Sequence, residues 1–173
     1  MPWNGKRNFI FCIPALLLFA LAAAGETGGG IMKVTSPEFT QNQLIPDKFT
    51  CEGKDINPAL IIEGVPKEAK SLALIVYDPD APGGTWYHWL VFDIPVTGRI
   101  TEDSIPGKQG INSAGQTHYH GPCPPSGTHR YCFKVYALDA LLNLKEGITR
   151  NTLEDSMQRH VLARQELTGL YKR

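Results

Sequence analysis

The sequence predicts one mostly-β domain of the β-sandwich class. Three observations support this fold class: apolar runs of strand length recur along the chain, turns rich in Gly, Pro and Asp separate them, and helical periodicity is confined to one segment near the C terminus. The 173 residues fit one domain, since single domains commonly have roughly 100–200 residues. We therefore expect one core, packed between sheets, with one or two peripheral helices.

The N-terminal residues 1–24 have the features of a secretory signal peptide. Lys6 and Arg7 precede a mainly apolar run over 9–21, and small residues at 22–24 suit a cleavage site. The apolar run is shorter than the roughly 20 residues of a membrane-spanning helix, which favours a signal over a stable membrane span. The sequence thus predicts a periplasmic or secreted protein.

The glycine-rich residues 25–30 are predicted to be a flexible lead-in to a domain that covers residues 31–173. The 17 Lys and Arg balance the 17 Asp and Glu, and removal of residues 1–24 takes away two bases and no acid. A slightly acidic domain lacks the basic patch that nucleic-acid binding needs. We expect no nucleic-acid partner.

Three cysteines lie beyond the predicted signal. Cys132 lies in a strand pattern and is expected to be buried. Cys51 and Cys123 lie in turn-rich segments and are a candidate disulfide pair in an oxidising compartment. An odd count leaves at least one thiol unpaired or available to another chain.

The first half of the domain shows short strands. Alternation near residues 32–34 predicts the first, residues 44–46 and 49–51 predict two short extended pieces, and Ala59–Ile62 predicts another strand after a loop. These spacings are typical of all-β domains.

The longest apolar runs lie at Leu72–Tyr77 and Trp86–Ile94. Both have the length and character of central strands that are buried on both faces, and we expect them to pair antiparallel. Residues 95–118 are rich in Gly, Pro, Ser and Thr and are predicted to form a long surface loop. Tyr131–Leu138 is predicted to be a further strand.

A helix is predicted from Asn151 to about Leu162. Asn151 can cap it and Glu154 can reach back, while apolar residues recur every four positions to residue 161. Gln165–Tyr171 is predicted to be the final strand, and His160 a surface residue of the helix.

Two proline-rich stretches carry the polar side chains of interest. The first, 78–89, joins the two long apolar runs and contains Asp78, Asp80 and His88; the second, 119–131, leads into the strand at Tyr131. Turns of this composition connect strands. We expect both stretches to meet at one end of the sheet and to build one pocket.

Three segments within these stretches resemble the phosphatidylethanolamine-binding protein family, which includes the Raf kinase inhibitor proteins and their bacterial relatives. They are Asp-Pro-Asp-Ala-Pro at 78–82, Trp-Tyr-His at 86–88, and Gly-Pro-Cys-Pro-Pro-Ser-Gly-Thr-His-Arg-Tyr at 121–131. The resemblance covers most of the chain from Ile31. It implies an antiparallel Greek-key β-sandwich of two sheets with a pocket, and no cofactor.

The resemblance implies a small anionic ligand, such as phosphate or phosphoethanolamine. His88, His129 and Tyr131 supply N–H and O–H donors, and the glycines of 121–127 let the backbone approach a ligand. The predicted ligand-binding residues are Asp78, Trp86, His88, Tyr119, Gly121, Pro122, Cys123, His129 and Tyr131. The predicted supporting residues are Asp80, Pro82 and Arg130.

The carboxylates at 78 and 80 would repel an anion unless they have another use. Three uses are open: fixing an imidazole, sharing a proton, or accepting a hydrogen bond from an ammonium group. We favour the first for Asp78 and a turn cap for Asp80, and we expect Arg130 to bond a carboxylate across the sheet. Tyr119 and His120 either line the pocket or end the loop.

Other functions are less well supported by the sequence. A hydrolase is disfavoured because no Gly-x-Ser-x-Gly motif occurs and Ser126 has no evident base. A metal site from residues 78, 118, 120 and 129 is disfavoured because His-x-His in a loop is a weak signal. The alternative is a protein-interaction module, such as a protease or kinase inhibitor, that acts through the 97–118 loop; the oligomeric state is open.

Overall fold

The computed structural model of the protein describes residues 1–2 and 31–173. The predicted signal peptide at 1–24 and the lead-in at 25–30 otherwise lie outside the described residues. The strands are β1 Lys33–Thr35, β2 Leu60–Glu63, β3 Ser71–Asp78, β4 Trp86–Ile94, β5 Arg99–Ile100, β6 Lys108–Gln109, β7 Thr128–Leu138 and β8 Val161–Lys172. One α-helix, α1, spans Arg150–Met157, and a 3-10 helix spans Asp47–Phe49. Within the described ranges, no helix is long and apolar enough to cross a membrane.

The strands form two antiparallel sheets. The smaller has the order β1-β2-β5, and the larger has the order β6-β4-β3-β7-β8. This arrangement confirms the predicted mostly-β fold class with two sheets and a peripheral helix. The Greek-key detail stays a prediction.

The larger sheet is buried on both faces at its centre. Leu74 and Val76 of β3 belong to the core between the two sheets, whereas Ala73 and Ile75 face a second cluster that includes Leu153 of α1. Successive side chains of a strand point to opposite faces, so two covered faces require a continuous apolar run. The prediction for β3 and β4 is confirmed on this point.

The predicted helix boundaries were wrong at both ends. The N-cap is Thr149, whose side chain accepts a hydrogen bond from the Thr152 N–H, and not Asn151. The helix ends at Met157 because Val161 pairs with Leu138 as the first residue of β8. Pairing with β7 therefore takes residues that the four-residue periodicity had assigned to the helix.

Two other local predictions need correction. The segment 49–51 is not a short extended piece, because Phe49 ends the 3-10 helix and residues 51–54 form a turn. The 95–118 segment is not loop throughout: β5 pairs with β2, and β6 pairs with β4. These two-residue strands attach the 95–118 segment to both sheets.

Candidate functional site

The ends of three neighbouring strands meet at one edge of the larger sheet. Asp78 at the end of β3 is paired with Trp86 at the start of β4, and β7 begins beside them with Cys132 opposite Tyr77. Antiparallel pairing brings the C-terminal end of one strand to the N-terminal ends of its neighbours. Gly84 has φ +104° in the connection between β3 and β4, a conformation that suits glycine.

A cavity of about 460 Å³ lies at this edge. One wall consists of residues 81–86, between β3 and β4, and another of residues 123–125, before β7. The polar side chains that line it include those of Asp78, Thr85, His88, His120 and Tyr131. The two proline-rich stretches therefore contribute to one cavity.

The His88 imidazole is buried and has a defined hydrogen-bonding state. Its Nδ1 lies 2.6 Å from the carbonyl oxygen of His120, and because a carbonyl only accepts, Nδ1 carries the proton. Burial lowers the pKa of His88 from its ordinary value of 6.5 to about 4; the hydrogen bond to the His120 backbone opposes this shift, and the charge of the His120 ring adds to it. At neutral pH the ring is neutral, so Nε2 presents a lone pair.

The Tyr131 hydroxyl is buried without a hydrogen-bond partner, and it is the one such side-chain atom among the described residues. Its ring packs edge-on against His88, with centroids 5.2 Å apart. Burial, with the Asp78 charge, raises the pKa of Tyr131 well above its ordinary value, although the nearby Cys123 backbone acts in the opposite direction. The hydroxyl is thus a protonated donor that lacks an acceptor, on a residue that lines the cavity.

Asp78 is buried, and both of its carboxylate oxygens accept hydrogen bonds. Oδ2 lies 2.7 Å from His129 Nδ1, and Oδ1 accepts the backbone N–H of Asp80 at 2.7 Å. The use we favoured for Asp78, fixing an imidazole, corresponds to its contact with His129. His129 itself is not among the cavity-lining residues, so it lies behind Asp78.

The sequence suggested that Asp80 caps its own turn, but it does not. Asp78 makes the turn-capping contact, and Asp80 accepts two hydrogen bonds from the Arg130 guanidinium, at 2.9 and 2.6 Å, and one from its N–H. The guanidinium lowers the pKa of Asp80 to about 2. This bidentate contact ties the turn after β3 to the start of β7.

The loop before β7 is anchored at several points. The Gly121 N–H donates to Asp55 Oδ1 at 2.5 Å, and a Cβ on this residue would lie 2.5 Å from the Phe49 carbonyl oxygen. Cys123 forms a disulfide with Cys51, with Cα atoms 5.5 Å apart. The cavity wall formed by residues 123–125 is thereby linked covalently to the 51–55 turn.

Comparison with known proteins assigns the chain to a family. The family model described as phosphatidylethanolamine-binding protein matches residues 35–172. The chain belongs to the phosphatidylethanolamine-binding protein family. A UPF0098 protein of Pyrococcus abyssi is 47% identical over 91% of this chain and 96% of its own length.

Solved structures of the family show the same fold. A phosphatidylethanolamine-binding protein homolog from Chlamydia trachomatis is 43% identical, with a TM-score of 0.80, over 83% of this chain and 98% of that chain. YbcL of Escherichia coli is 31% identical, with a TM-score of 0.77, over 83% of this chain and 99% of that chain. Membership of the family supports a general ligand-binding role.

The structure places the predicted site residues in three positions relative to the cavity. Those on its lining are Asp78, Pro82, Trp86, His88, Cys123 and Tyr131. Those that lie next to lining residues are Asp80, Gly121, Pro122, His129 and Arg130. Tyr119 points elsewhere: it packs edge-on against Trp89, and its hydroxyl donates to the Phe49 carbonyl. The ligand-binding roles of these residues stay predictions.

The sequence left the position of His120 open, and the structure places it on the cavity lining. Its ring stacks on His88 with centroids 5.9 Å apart, so the second imidazole at the cavity is His120 and not His129. Asp55, not singled out from the sequence, lies 3.9 Å from His120 Nδ1. The one available signal was Gly121, because a glycine in a proline-rich loop marks a close backbone approach.

Within the described residues, no three His, Cys, Asp or Glu side chains are grouped so that they could hold a metal ion. His118 is not on the lining of this cavity. Its carbonyl accepts a hydrogen bond from the Asn112 side chain at 3.0 Å, which helps to fix the loop before the second proline-rich stretch.

Proposed function

We propose that the protein binds a small anion, a phosphate or a phosphorylated headgroup, in the cavity between residues 81–86 and 123–125. The observation that carries this proposal is the unpartnered hydroxyl of Tyr131. A buried polar group without a partner costs about 1–3 kcal/mol, which a ligand oxygen would offset. The high pKa of the phenol keeps it a donor at physiological pH.

The size and walls of the cavity support the same ligand class. A volume of about 460 Å³ suits a small molecule, because ligand pockets usually span roughly 300–1,000 Å³. Trp86 and the prolines at 124 and 125 supply apolar walls around the few polar groups. Such a site can hold a charged group by directed hydrogen bonds and leave the rest of the molecule against apolar surface.

The Asp78 charge is compatible with an anion because its oxygens are already engaged. His129 and the Asp80 N–H each donate to this carboxylate, so it is less available to bind an ammonium group. Its main effect on the cavity is then to hold His129 and the turn in place. We propose binding without turnover, since among residues 31–173 no nucleophilic side chain with an oriented base lines the cavity.

Calorimetry tests this proposal directly. Phosphate and phosphoethanolamine are titrated into the wild-type chain and into His88→Ala, with His160→Ala as the control outside the cavity. We expect binding to the wild type and to the control, and at least about tenfold weaker binding to His88→Ala. The absence of binding to the wild type, or equal affinity for His88→Ala, would contradict the proposal.

We also propose that the site works in an exported compartment. The signal-like residues 1–24 and the Cys51–Cys123 disulfide support this location, because disulfides persist in oxidising environments. Fractionation of cells that express the full chain should find a processed form outside the cytoplasm. Recovery of the unprocessed chain in the cytoplasm with both thiols reduced would contradict it.

A further inference from the structure

The His88 ring offers a ligand an acceptor and not a donor. The His120 carbonyl occupies Nδ1–H at 2.6 Å, and Nε2 has no hydrogen-bond partner among residues 31–173. A neutral imidazole has one N–H and one lone pair. Because the N–H is used within the protein, the lone pair is what remains for a molecule in the cavity.

The Tyr131 hydroxyl, packed against the same ring, offers the opposite polarity. It is buried and has no acceptor within the described part of the chain. A ligand that satisfies both groups must therefore accept one hydrogen bond from Tyr131 and donate another to His88. A fully deprotonated oxyanion can do only the first.

Four titratable residues lie near His88, and three of them affect its protonation. The His120 carbonyl, Asp78 at the end of β3 and Asp55 in the 51–55 turn favour its protonation, while the charge of the stacked His120 ring disfavours it. Tyr131 presents an uncharged phenol. Burial outweighs both carboxylates and keeps the ring neutral. An anion without a proton would face either an unsatisfied lone pair or the cost of protonating this ring.

We infer that the cavity selects anions that bring their own proton, such as a phosphomonoester or phosphonate with one P–OH group, over proton-free anions of the same shape and charge. The inference rests on the proposed anion-binding function and names its ligand class. The P–OH donates to His88 Nε2, and Tyr131 donates to an unprotonated oxygen. His88 is thus the residue that determines specificity, through a tautomer set by the His120 carbonyl.

Methylphosphonate and methanesulfonate form a matched pair for the test. Below the second pKa of methylphosphonate, both are tetrahedral anions with one negative charge, and they differ in one hydroxyl proton. We expect calorimetry on the wild-type chain to give at least about tenfold tighter binding of methylphosphonate, since methanesulfonate cannot donate a hydrogen bond to His88 Nε2. Equal binding, or tighter binding of methanesulfonate, would overturn the inference and leave the proposed function intact.

A pH series on the wild type provides a second measurement. As the pH rises through the second pKa of methylphosphonate, its affinity should fall at least about tenfold, while methanesulfonate shows no such fall and reports any change in the protein. Unchanged methylphosphonate affinity would overturn the inference. If neither of these ligands nor inorganic phosphate binds at any pH, the proposed function fails as well.

The variant His88→Gln assigns the effect to the residue. Its amide can turn either its oxygen or its N–H₂ toward the ligand, so the preference for methylphosphonate should shrink toward equality. A preference retained at the wild-type ratio would overturn the role of His88. Should this variant not fold, the wild-type ligand pair and pH series decide the question.

Discussion

Two Asp–His pairs lie at opposite ends of the larger sheet and have the same contact distance. Asp78 and His129 lie at the cavity edge, whereas Asp139 follows the end of β7 and His160 precedes the start of β8. In both pairs, the histidine Nδ1 is 2.7 Å from a carboxylate oxygen. The side chains of the first pair are 5% and 9% exposed, whereas those of the second are 47% and 41% exposed. The pairs differ in their access to water and not in their geometry.

This difference shows that burial determines what an ionic contact does for the molecule. Water screens the exposed pair and can replace either partner, so its loss is mild. In the buried pair, removal of one partner leaves the other without a hydrogen-bond partner in a low-dielectric site. The buried pair thus depends on the protein for its hydrogen bonds, whereas the exposed pair can exchange them with water.

The largest expected effect is the loss of stability when each Asp–His pair is broken by a separate substitution. Asp78→Asn should lower the free energy of unfolding by about 3 kcal/mol, because it leaves His129 without its carboxylate, whereas Asp139→Asn should cost less than about 1 kcal/mol. Urea denaturation of the two variants and the wild type measures the contrast. Equal losses would show that burial does not separate the pairs.

The second effect concerns the pH dependence of stability, with His88 set against His160. The pKa of His88 is about 4 when folded and 6.5 ordinarily, so between these values the unfolded chain binds a proton that the folded chain does not. The contribution of the neutral His88 ring to the free energy of unfolding is therefore fully present above about pH 6.5. About 3 kcal/mol of this stability should be lost as the pH falls to about 4.

Denaturant midpoints across this pH range test the assignment to His88. The His88→Gln variant should lose most of the slope, and the His160→Gln variant should keep it. A wild-type slope retained by His88→Gln would place its origin in other groups.

The third effect concerns ligand affinity and stability, and it compares substitutions at two tyrosines of β7. Tyr131→Phe should weaken phosphate binding about tenfold, and leave the free energy of unfolding unchanged or slightly raised, because the hydroxyl has no partner to lose. Tyr136→Phe, on the strand but away from the cavity, should change neither the affinity nor the cavity. If Tyr131→Phe bound phosphate as the wild type does, its hydroxyl would have no role in the site.

The smallest effect compares two exposed ion pairs. Arg130 makes a bidentate contact with Asp80 beside the cavity, and Arg150 pairs with Glu154 on α1. Both guanidinium side chains are more than a third exposed, so Arg130→Gln and Arg150→Gln should each cost less than about 1 kcal/mol in thermal unfolding. A much larger loss of stability for Arg130→Gln would mean that the turn after β3 and the start of β7 depend on the contact between Arg130 and Asp80.

The sequence predicted the centre of the fold better than its edges. The apolar runs of β3 and β4 are continuous because both faces of these strands are covered, and such runs are visible without knowledge of their partners. Val161 shows the limit of this reasoning: it continues the apolar periodicity of α1, but its pairing with Leu138 places it in β8. Strand pairing is a long-range contact that local periodicity does not contain.

The candidate site was likewise predicted only in part. The sequence indicated that the two proline-rich stretches meet, because each carries turn residues beside a strand. It did not distinguish His120 from His129, since which imidazole reaches a cavity depends on how a loop lies against a neighbouring turn. The close approach of Gly121 to Asp55 decides this, and the contact joins residues 66 positions apart.

The account depends on the cavity being a receptor for an anion, and a crystal of the protein soaked with phosphate tests this most directly. We predict density for one phosphate between residues 81–86 and 123–125, with oxygens within hydrogen-bond distance of Tyr131 Oη and His88 Nε2. A cavity without phosphate at a concentration that saturates other phosphate-binding proteins, or phosphate bound only away from both groups, would contradict the account.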